Sequence, residues 1–379
     1  MRWILVVAIA LTFSSAMAPN RGTAQEVPEK PKMVTPPPVF IPPAPPAPRV
    51  PPAAPKTGVE AAERKLYVIA ARLLPGECDG GNGRACSYLA ELYQKGVAVA
   101  QDRARAEQLF AQACDRAYMA GCNSLAILTL ENARTDEEKA ASTAILAKAC
   151  DGGEPFACSN LGHRYETGKG VAANPDQARA LYVKACALDS PLGCQNAAIA
   201  FDRPIGGARD YAESLRNYRR ACELGQLDSC FWAAVKEEKG EGTAADFPRA
   251  VKAYSDLCDR GHGRSCAAYG WALDQDMGGK ENRAKARLAY AKSCGLDYGG
   301  GCNSLAILFE NGKGGPQDLS LAVAGYDRGC ELKDGNACYN LSRLYRTGQG
   351  VPVNRGTSTT YLARACELGL DRACRGLRR

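Results

Sequence analysis

The sequence predicts an all-α protein, a solenoid of stacked helix–turn–helix units. Three observations carry that prediction. The first is the cysteine spacing. Cys78 and Cys86, Cys114 and Cys122, Cys150 and Cys158, Cys186 and Cys194, Cys222 and Cys230, Cys258 and Cys266, Cys294 and Cys302, Cys330 and Cys338, and Cys366 and Cys374 form nine pairs, each eight residues apart and each 36 after the last. A fixed period of that size means stacked supersecondary units, not a few globular domains. The second is a set of columns in the same register. The residue before each second cysteine is small, from Ala85 and Gly121 to Ala373. Another small column runs Ala106, Ser142, Ala178, Ser214, Ala250, Ala286, Ala322 and Ser358, and four residues on from each stands a large apolar side chain, from Phe110 and Leu146 to Tyr326 and Leu362. Steps of three and four are helical, and small residues at fixed places let two helices approach closely. The third is a glycine-rich break inside most units, such as Gly168-Lys169-Gly170 or Gly348-Gln349-Gly350, which separates two helices.

Taken in order, residues 1–24 have a positive end, an apolar stretch from Ile4 to Phe13 and small residues, the pattern of a secretory signal peptide with cleavage expected after Ala24. No cysteine precedes Cys78, so a lipid-modified N-terminal cysteine is not expected. Residues 25–58 form a spacer: 13 of the 22 prolines fall between 28 and 55, which favours extended polyproline II over packed structure. The solenoid is expected over 59–379, as an N-terminal half-repeat (59–77) with one helix from about Val59 to Leu74, eight full repeats (78–365) and a C-terminal cap (366–379). In each repeat helix A starts near the second cysteine, as in Cys86 to Gln94, and helix B follows the break, as in Asp102 to Ala113. Gly81, Gly153, Gly225, Gly261 and Gly369 lie where a helix end wants a left-handed residue. Half-units at both ends suit a solenoid's caps. Asn132-Ala133-Arg134 replaces the glycine-rich break of the second unit, and Pro204 stands in that of the fourth, so those two turns are expected to be distorted.

Composition narrows the function. Forty-eight Lys+Arg against 41 Asp+Glu give +7, interspersed along the chain, whereas nucleic-acid binders concentrate positive charge on one face or tail. No internal apolar run approaches the roughly 20 residues that cross a bilayer. Eighteen cysteines exceed ordinary cytosolic usage and point to a secreted or periplasmic location. Two cysteines eight apart on one helix would stand about 12 Å apart, too far for a disulfide, so local pairing requires the chain to reverse between them. Zinc sites want closer cysteine spacing or clustered histidines, and thiol exchange wants Cys-x-x-Cys; this chain has two scattered histidines, His163 and His262, and nine equivalent pairs. No metal and no cofactor is expected.

Units such as Cys158-Ser-Asn-Leu-Gly-His-Arg-Tyr-Glu-Thr-Gly-Lys-Gly-Val171, followed by Pro175-Asp-Gln-Ala-Arg-Ala-Leu-Tyr-Val-Lys-Ala185, resemble the Sel-one-like repeat, a 36-residue relative of the tetratricopeptide repeat. The paired cysteines make the chain similar to the secreted cysteine-rich Hcp beta-lactamase family. The resemblance spans residues 59–379. It implies antiparallel helix pairs in a right-handed superhelix, one disulfide per repeat, and a protein or peptide ligand in the concave groove. It also implies the alternative of a penicillin-binding protein that hydrolyses beta-lactams slowly, with cell-wall peptides or beta-lactams as ligands.

The residues themselves show no enzyme signature. Ser-x-x-Lys and Ser-Asp-Asn are absent, and Lys56-Thr57-Gly58 stands alone at the end of the spacer. Partner binding has more support. Asn123, Asn160, Asn196, Asn303 and Asn340 recur near the start of helix A, where an amide can donate to and accept from a ligand backbone at once. The alternative is that they bind neighbouring helix termini or merely start helices. His163, Arg164 and Arg343 on the same helices complete the candidate partner-binding set, and Tyr88, Trp232 and Tyr339 are candidate aromatic anchors. His262, between Gly261 and Gly263, is expected to be solvated. Arg372, Arg375, Arg378 and Arg379 form a basic tail suited to a helix C-terminus.

Overall fold

The computed structural model describes residues 54–275 and 279–377, and every regular element among them is an α-helix. The expected signal peptide, most of the spacer, and Arg378 and Arg379 lie outside the described residues. The described chain opens with α1 (Gly58–Glu63) and α2 (Tyr67–Asp79). Pairs of helix A and helix B follow: α3 (Gly83–Lys95) with α4 (Arg103–Asp115), α5 (Met119–Asn132) with α6 (Asp136–Asp151), and α7 (Pro155–Thr167) with α8 (Pro175–Ala187). Next come α9 (Pro191–Asp202) with α10 (Tyr211–Glu223), and α11 (Leu227–Lys239) with α12 (Phe247–Asp259). Then α13 (Gly263–Gln275) pairs with α14 (Gly279–Gly295), α15 (Gly299–Glu310) with α16 (Leu319–Glu331), and α17 (Gly335–Thr347) with α18 (Arg355–Glu367), before α19 (Asp371–Leu377). Each helix packs on its chain neighbours, and most A helices also touch the next A helix, which is the contact pattern of a solenoid.

Capping explains where the helices begin. Helix B starts at Asp102, Thr135, Asn174, Asp210, Asp246, Asp318 or Asn354, and each of these side chains accepts a backbone N–H of the first turn. Helix A most often ends at a left-handed glycine, as at Gly96 and Gly168. The B-to-A turn also needs a left-handed residue. Gly81, Gly153, Gly225, Gly261 and Gly369 supply it as expected, but Ala117, Asp189, Asp297 and Lys333 adopt the same conformation without being glycine. At the N-terminus the single expected helix is two. Lys65 turns left-handed at φ 57°, and the N–H groups of Lys65 and Leu66 close on the carbonyls of Ala62 and Ala61. Glu77 of α2 accepts the N–H groups of Gly58 and Val59, which caps α1.

The predicted columns form the core. Ala106, Ser142, Ala178, Ser214, Ala250, Ala286 and Ala322 are fully buried, and Phe110, Leu146, Tyr182, Tyr218, Tyr254, Tyr290 and Tyr326 fill the space beside them. Where the small residue before the second cysteine is glycine, the approach is closest: a Cβ on Gly193 would stand 2.5 Å from the Cβ of Ala185. All nine cysteine pairs close locally across the B-to-A turn, with Cα atoms 4.3 Å apart in Cys186–Cys194 and 4.7 Å in Cys366–Cys374, and no free cysteine remains. The chain reversal that local pairing demands is present at every turn.

The two irregular units behave differently. In most repeats the N–H of the helix B cap bonds a carbonyl in the last turn of helix A, as in Asn174 to Tyr165 at 2.8 Å. The fourth unit keeps that bond, Asp210 to Phe201 at 2.9 Å, in spite of Pro204. The second unit replaces the loop: α6 starts early through a capping box between Thr135 and Glu138. Two arginines tie helix B to the loop of the following repeat. Arg179 donates to the carbonyls of Ala200, Ile205, Gly207 and Ala208, and Arg287 to those of Leu308, Lys313, Gly315 and Pro316.

Candidate functional site

The first two turns of helix A are largely buried, and their asparagines lie half-buried on the side where A helices touch each other. Asparagines there face one another across repeats. Asn160 Nδ2 donates to Asn123 Oδ1 at 2.9 Å, and Asn340 Nδ2 repeats the bond to Asn303 Oδ1 at 2.9 Å. Gln226 Nε2 makes an analogous bond to Gln195 Oε1 at 2.8 Å. The identical geometry of the two asparagine pairs follows from sequence, since the first residue after one second cysteine meets the second residue after the next, whereas Gln226 reaches Gln195 from the N-cap of α11. Each bridging pair uses one donor and one acceptor, so the amide group of Asn123 and the carbonyl oxygen of Asn160 keep hydrogen-bonding capacity. Asn196 is half-buried on the same face. Asn123, Asn160, Asn303 and Asn340 therefore bridge helices side chain to side chain and are not helix caps.

The aromatic candidates carry arginines, one of them Arg372 of the basic tail. The guanidinium of Arg84 lies 5.8 Å from the ring centre of Tyr88, Arg264 lies 5.7 Å from Trp232, and Arg372 lies 4.3 Å from Tyr339. All three arginines stand two residues before a second cysteine, a positional signal visible in the sequence. Arg264 also lies 5.6 Å from Phe231 and 5.9 Å from Tyr298, so it sits among three rings. Trp232 and Trp271 are both exposed to more than a third.

The charged candidates separate. His163 is exposed, its Nδ1 3.9 Å from Glu166, whose carboxylate accepts the hydroxyl of Tyr182 at 2.6 Å. Arg343 is half-buried, pairs with Glu310 and donates to Gln349 at 2.9 Å. Arg164 does not reach the face. It is 4% exposed and donates to Ser142 Oγ and Thr143 Oγ1, each at 3.3 Å. Its position six residues after the second cysteine is the core column of Leu92, Leu128, Leu308 and Leu344, and Lys236 is buried in the same column against Asp202 and Glu241. Burial lowers the pKa of the Arg164 guanidinium.

His262 corrects the expectation of a solvated residue. Its ring is largely buried, with Nδ1 2.7 Å from Ser265 Oγ and Nε2 3.2 Å from Asp228 Oδ1. Carboxylate, imidazole and hydroxyl form a chain with the composition of a catalytic triad. Ser265 is fully buried beside Cys266, so no substrate atom can reach its oxygen. The chain joins two repeats and presents no nucleophile.

Behind the face, phenols bond carboxylates in the third, fifth and seventh repeats. Tyr254 and Tyr326 donate to Glu238 and Glu310 at 2.6 Å, matching Tyr182. Burial first, then the accepting carboxylate, pushes these three phenols far above their usual range. Burial, reinforced by Asp202 and Asp274 respectively, pushes Tyr218 and Tyr290 up to about 12.

Stacked helix pairs with a staple at every turn define an α-solenoid scaffold. The comparisons give its family. The Sel1 repeat matches residues 83–118, 155–190, 192–226, 300–334 and 335–370, and the chain is a Sel1-repeat protein. Proteins with these repeats generally act through protein interactions. The fold is similar to that of c5321, a protective antigen of uropathogenic Escherichia coli with an SLR fold (TM-score 0.63, 20% identity, 85% of this chain and 67% of that one). It is also similar to a Sel1 repeat protein from Oxalobacter formigenes (TM-score 0.62, 17% identity, 85% and 93%). Helicobacter pylori cysteine rich protein B matches 34% of this chain and 93% of its own at 29% identity and a TM-score of 0.30. No curated protein matches by sequence. The matched segments omit the second, fifth and sixth repeats, which include the rebuilt turn and the buried Lys236.

Proposed function

We propose that the chain is an exported scaffold that binds a protein or peptide partner along its helix A face. The observation that carries this reading is the recurrence, between the second and third and again between the seventh and eighth repeats, of an asparagine pair whose remaining amide groups keep hydrogen-bonding capacity. An extended peptide backbone offers donors and acceptors that such amide groups can meet, and the Arg–aromatic plates at Tyr88, Trp232 and Tyr339 supply anchors. Export is supported by the nine disulfides, which persist in an oxidising compartment, and by the character of residues 1–24. Among the described residues no helix is long and apolar enough to cross a membrane.

Position-specific photo-cross-linking in the native envelope tests the reading. A cross-linker at Asn196 or Trp232 should capture one discrete partner, and one at Leu288, exposed on helix B, should not. Combined Asn160→Ala, Asn196→Ala and Asn340→Ala substitution should weaken capture at least tenfold while lowering the melting temperature by no more than about 3 °C, since two half-buried hydrogen bonds contribute about 1 kcal/mol each. Equal capture from both faces, or capture that ignores the triple substitution, removes the asparagines from the site.

A further inference from the structure

A cavity of about 570 Å³ opens between α17, α18 and α19, and its wall carries three arginines, Arg343, Arg346 and Arg355, with no carboxylate. The repeat register shows how unusual that wall is. The position of Arg346, eight residues after the second cysteine, is acidic in five successive repeats: Glu166, Asp202, Glu238, Asp274 and Glu310. Three of those acids accept a hydroxyl from the tyrosine of the large column. In the eighth repeat both members change, to Arg346 and Leu362, so the internal acid–phenol pair is replaced by a cation beside an apolar side chain. Arg343 is partly committed to Glu310 and Gln349, but Arg346 and Arg355 are exposed and have no ion-pair partner among the described residues. Thr359 and Tyr339 add a hydroxyl and a ring to the same wall.

We propose that this cavity is an anchor for an acidic peptide segment of the partner, with Asp or Glu side chains bound by Arg346 and Arg355. Guanidinium groups bind carboxylates in forked pairs, and two of them without counter-ions on a concave wall form an acceptor for carboxylates arriving from outside. The apolar Leu362 and the Tyr339 ring suit the aliphatic stem of a glutamate or its neighbour, which a bare inorganic anion lacks. This proposal rests on the reading of the chain as a peptide-binding scaffold.

The test uses the full oxidised chain and a fluorescent octapeptide of alternating Glu and Asp, blocked at both ends, with a Gln–Asn octapeptide as control. Fluorescence anisotropy at low salt should show binding of the acidic peptide only. Combined Arg346→Gln and Arg355→Gln should weaken it at least tenfold, with an unchanged melting curve because both side chains are exposed. Arg103→Gln with Arg216→Gln removes the same charge at distant exposed sites and should leave affinity within twofold. No binding of the acidic peptide, equal loss in the distant variant, or displacement by inorganic phosphate at the peptide's own carboxylate concentration would each overturn the proposal. Cross-linking from Asn196 is read separately. Loss of the acidic-peptide site with intact cross-linking defeats this inference alone, whereas loss of face-specific cross-linking defeats the scaffold reading.

Discussion

Replacing Arg164 by leucine should make the protein more stable. Arg164 is the one position of its column, besides Lys236, where a long cation replaces the apolar residues of the other repeats, and unlike Lys236 it has no carboxylate partner. Burying an ion costs several kcal/mol even after relaxation. Two hydrogen bonds from a charged donor return about 1.5–3 kcal/mol each at best, and at 3.3 Å these two are long. Removing the guanidinium strands nothing, because Ser142 Oγ also donates to the Ala126 carbonyl at 2.5 Å and Thr143 Oγ1 to that of Lys139 at 2.9 Å. Leucine fills the same column in four other repeats without exposure above 4%. The balance favours Arg164→Leu by about 1–2 kcal/mol. If the described body melts as one unit, an unfolding entropy of about 2.1 cal/mol/K per residue makes this a rise of about 1–3 °C. Calorimetry under oxidising conditions, with a urea midpoint as a second measure, reads it. Arg164→Ala supplies the contrast, since it removes the charge but leaves a void, and should lower stability by about 2 kcal/mol. A loss of more than 1 kcal/mol in the leucine variant, comparable to that of alanine, would refute the reasoning and show that the guanidinium bonds outweigh desolvation.

Arg179→Ala should loosen the loop 203–210, because four carbonyls lose their donor at once; hydrogen exchange there should rise tenfold or more, and Arg179→Lys should not restore it, since an ammonium cannot reproduce the planar fork. Alkaline titration followed by tyrosine absorbance should show Tyr218 and Tyr290 ionising near pH 12, not near 10. Their folded pKa values lie above the unfolded one, so their contribution to stability is complete below about pH 10 and is lost as the pH rises towards 12. Tyrosines that ionise near pH 10 with the helical signal intact would contradict their burial.

Much of the fold was legible because a 36-residue repeat makes each position a column, and nine copies average away local accidents. The cysteine pairs, the small and large columns and the glycine turns all fell where the spacing put them. At Ala117, Asp189, Asp297 and Lys333 residue type gave no sign of the left-handed turn, and only their place in the 36-residue column of Gly81, Gly153 and Gly225 did. The site was less legible. Arg164 was placed on the face by its neighbour His163, although its own column is the leucine column of the core.

By itself, then, the sequence determined the repeat, its period and the helix pairs, all set by residue type at fixed spacing, whereas the local closure of each cysteine pair across its turn was decided by the structure. Only the tertiary structure decided which polar residues meet. The Asn123–Asn160 bridge joins residues 37 apart, and the chain from Asp228 through His262 to Ser265 joins two repeats. The uncompensated arginines around the eighth-repeat cavity likewise emerge when α17, α18 and α19 pack together. Hydrogen bonds and ion pairs depend on direction and distance to within a fraction of an ångström, and those are fixed by packing between repeats, whereas helix formation and burial respond to patterns within each one.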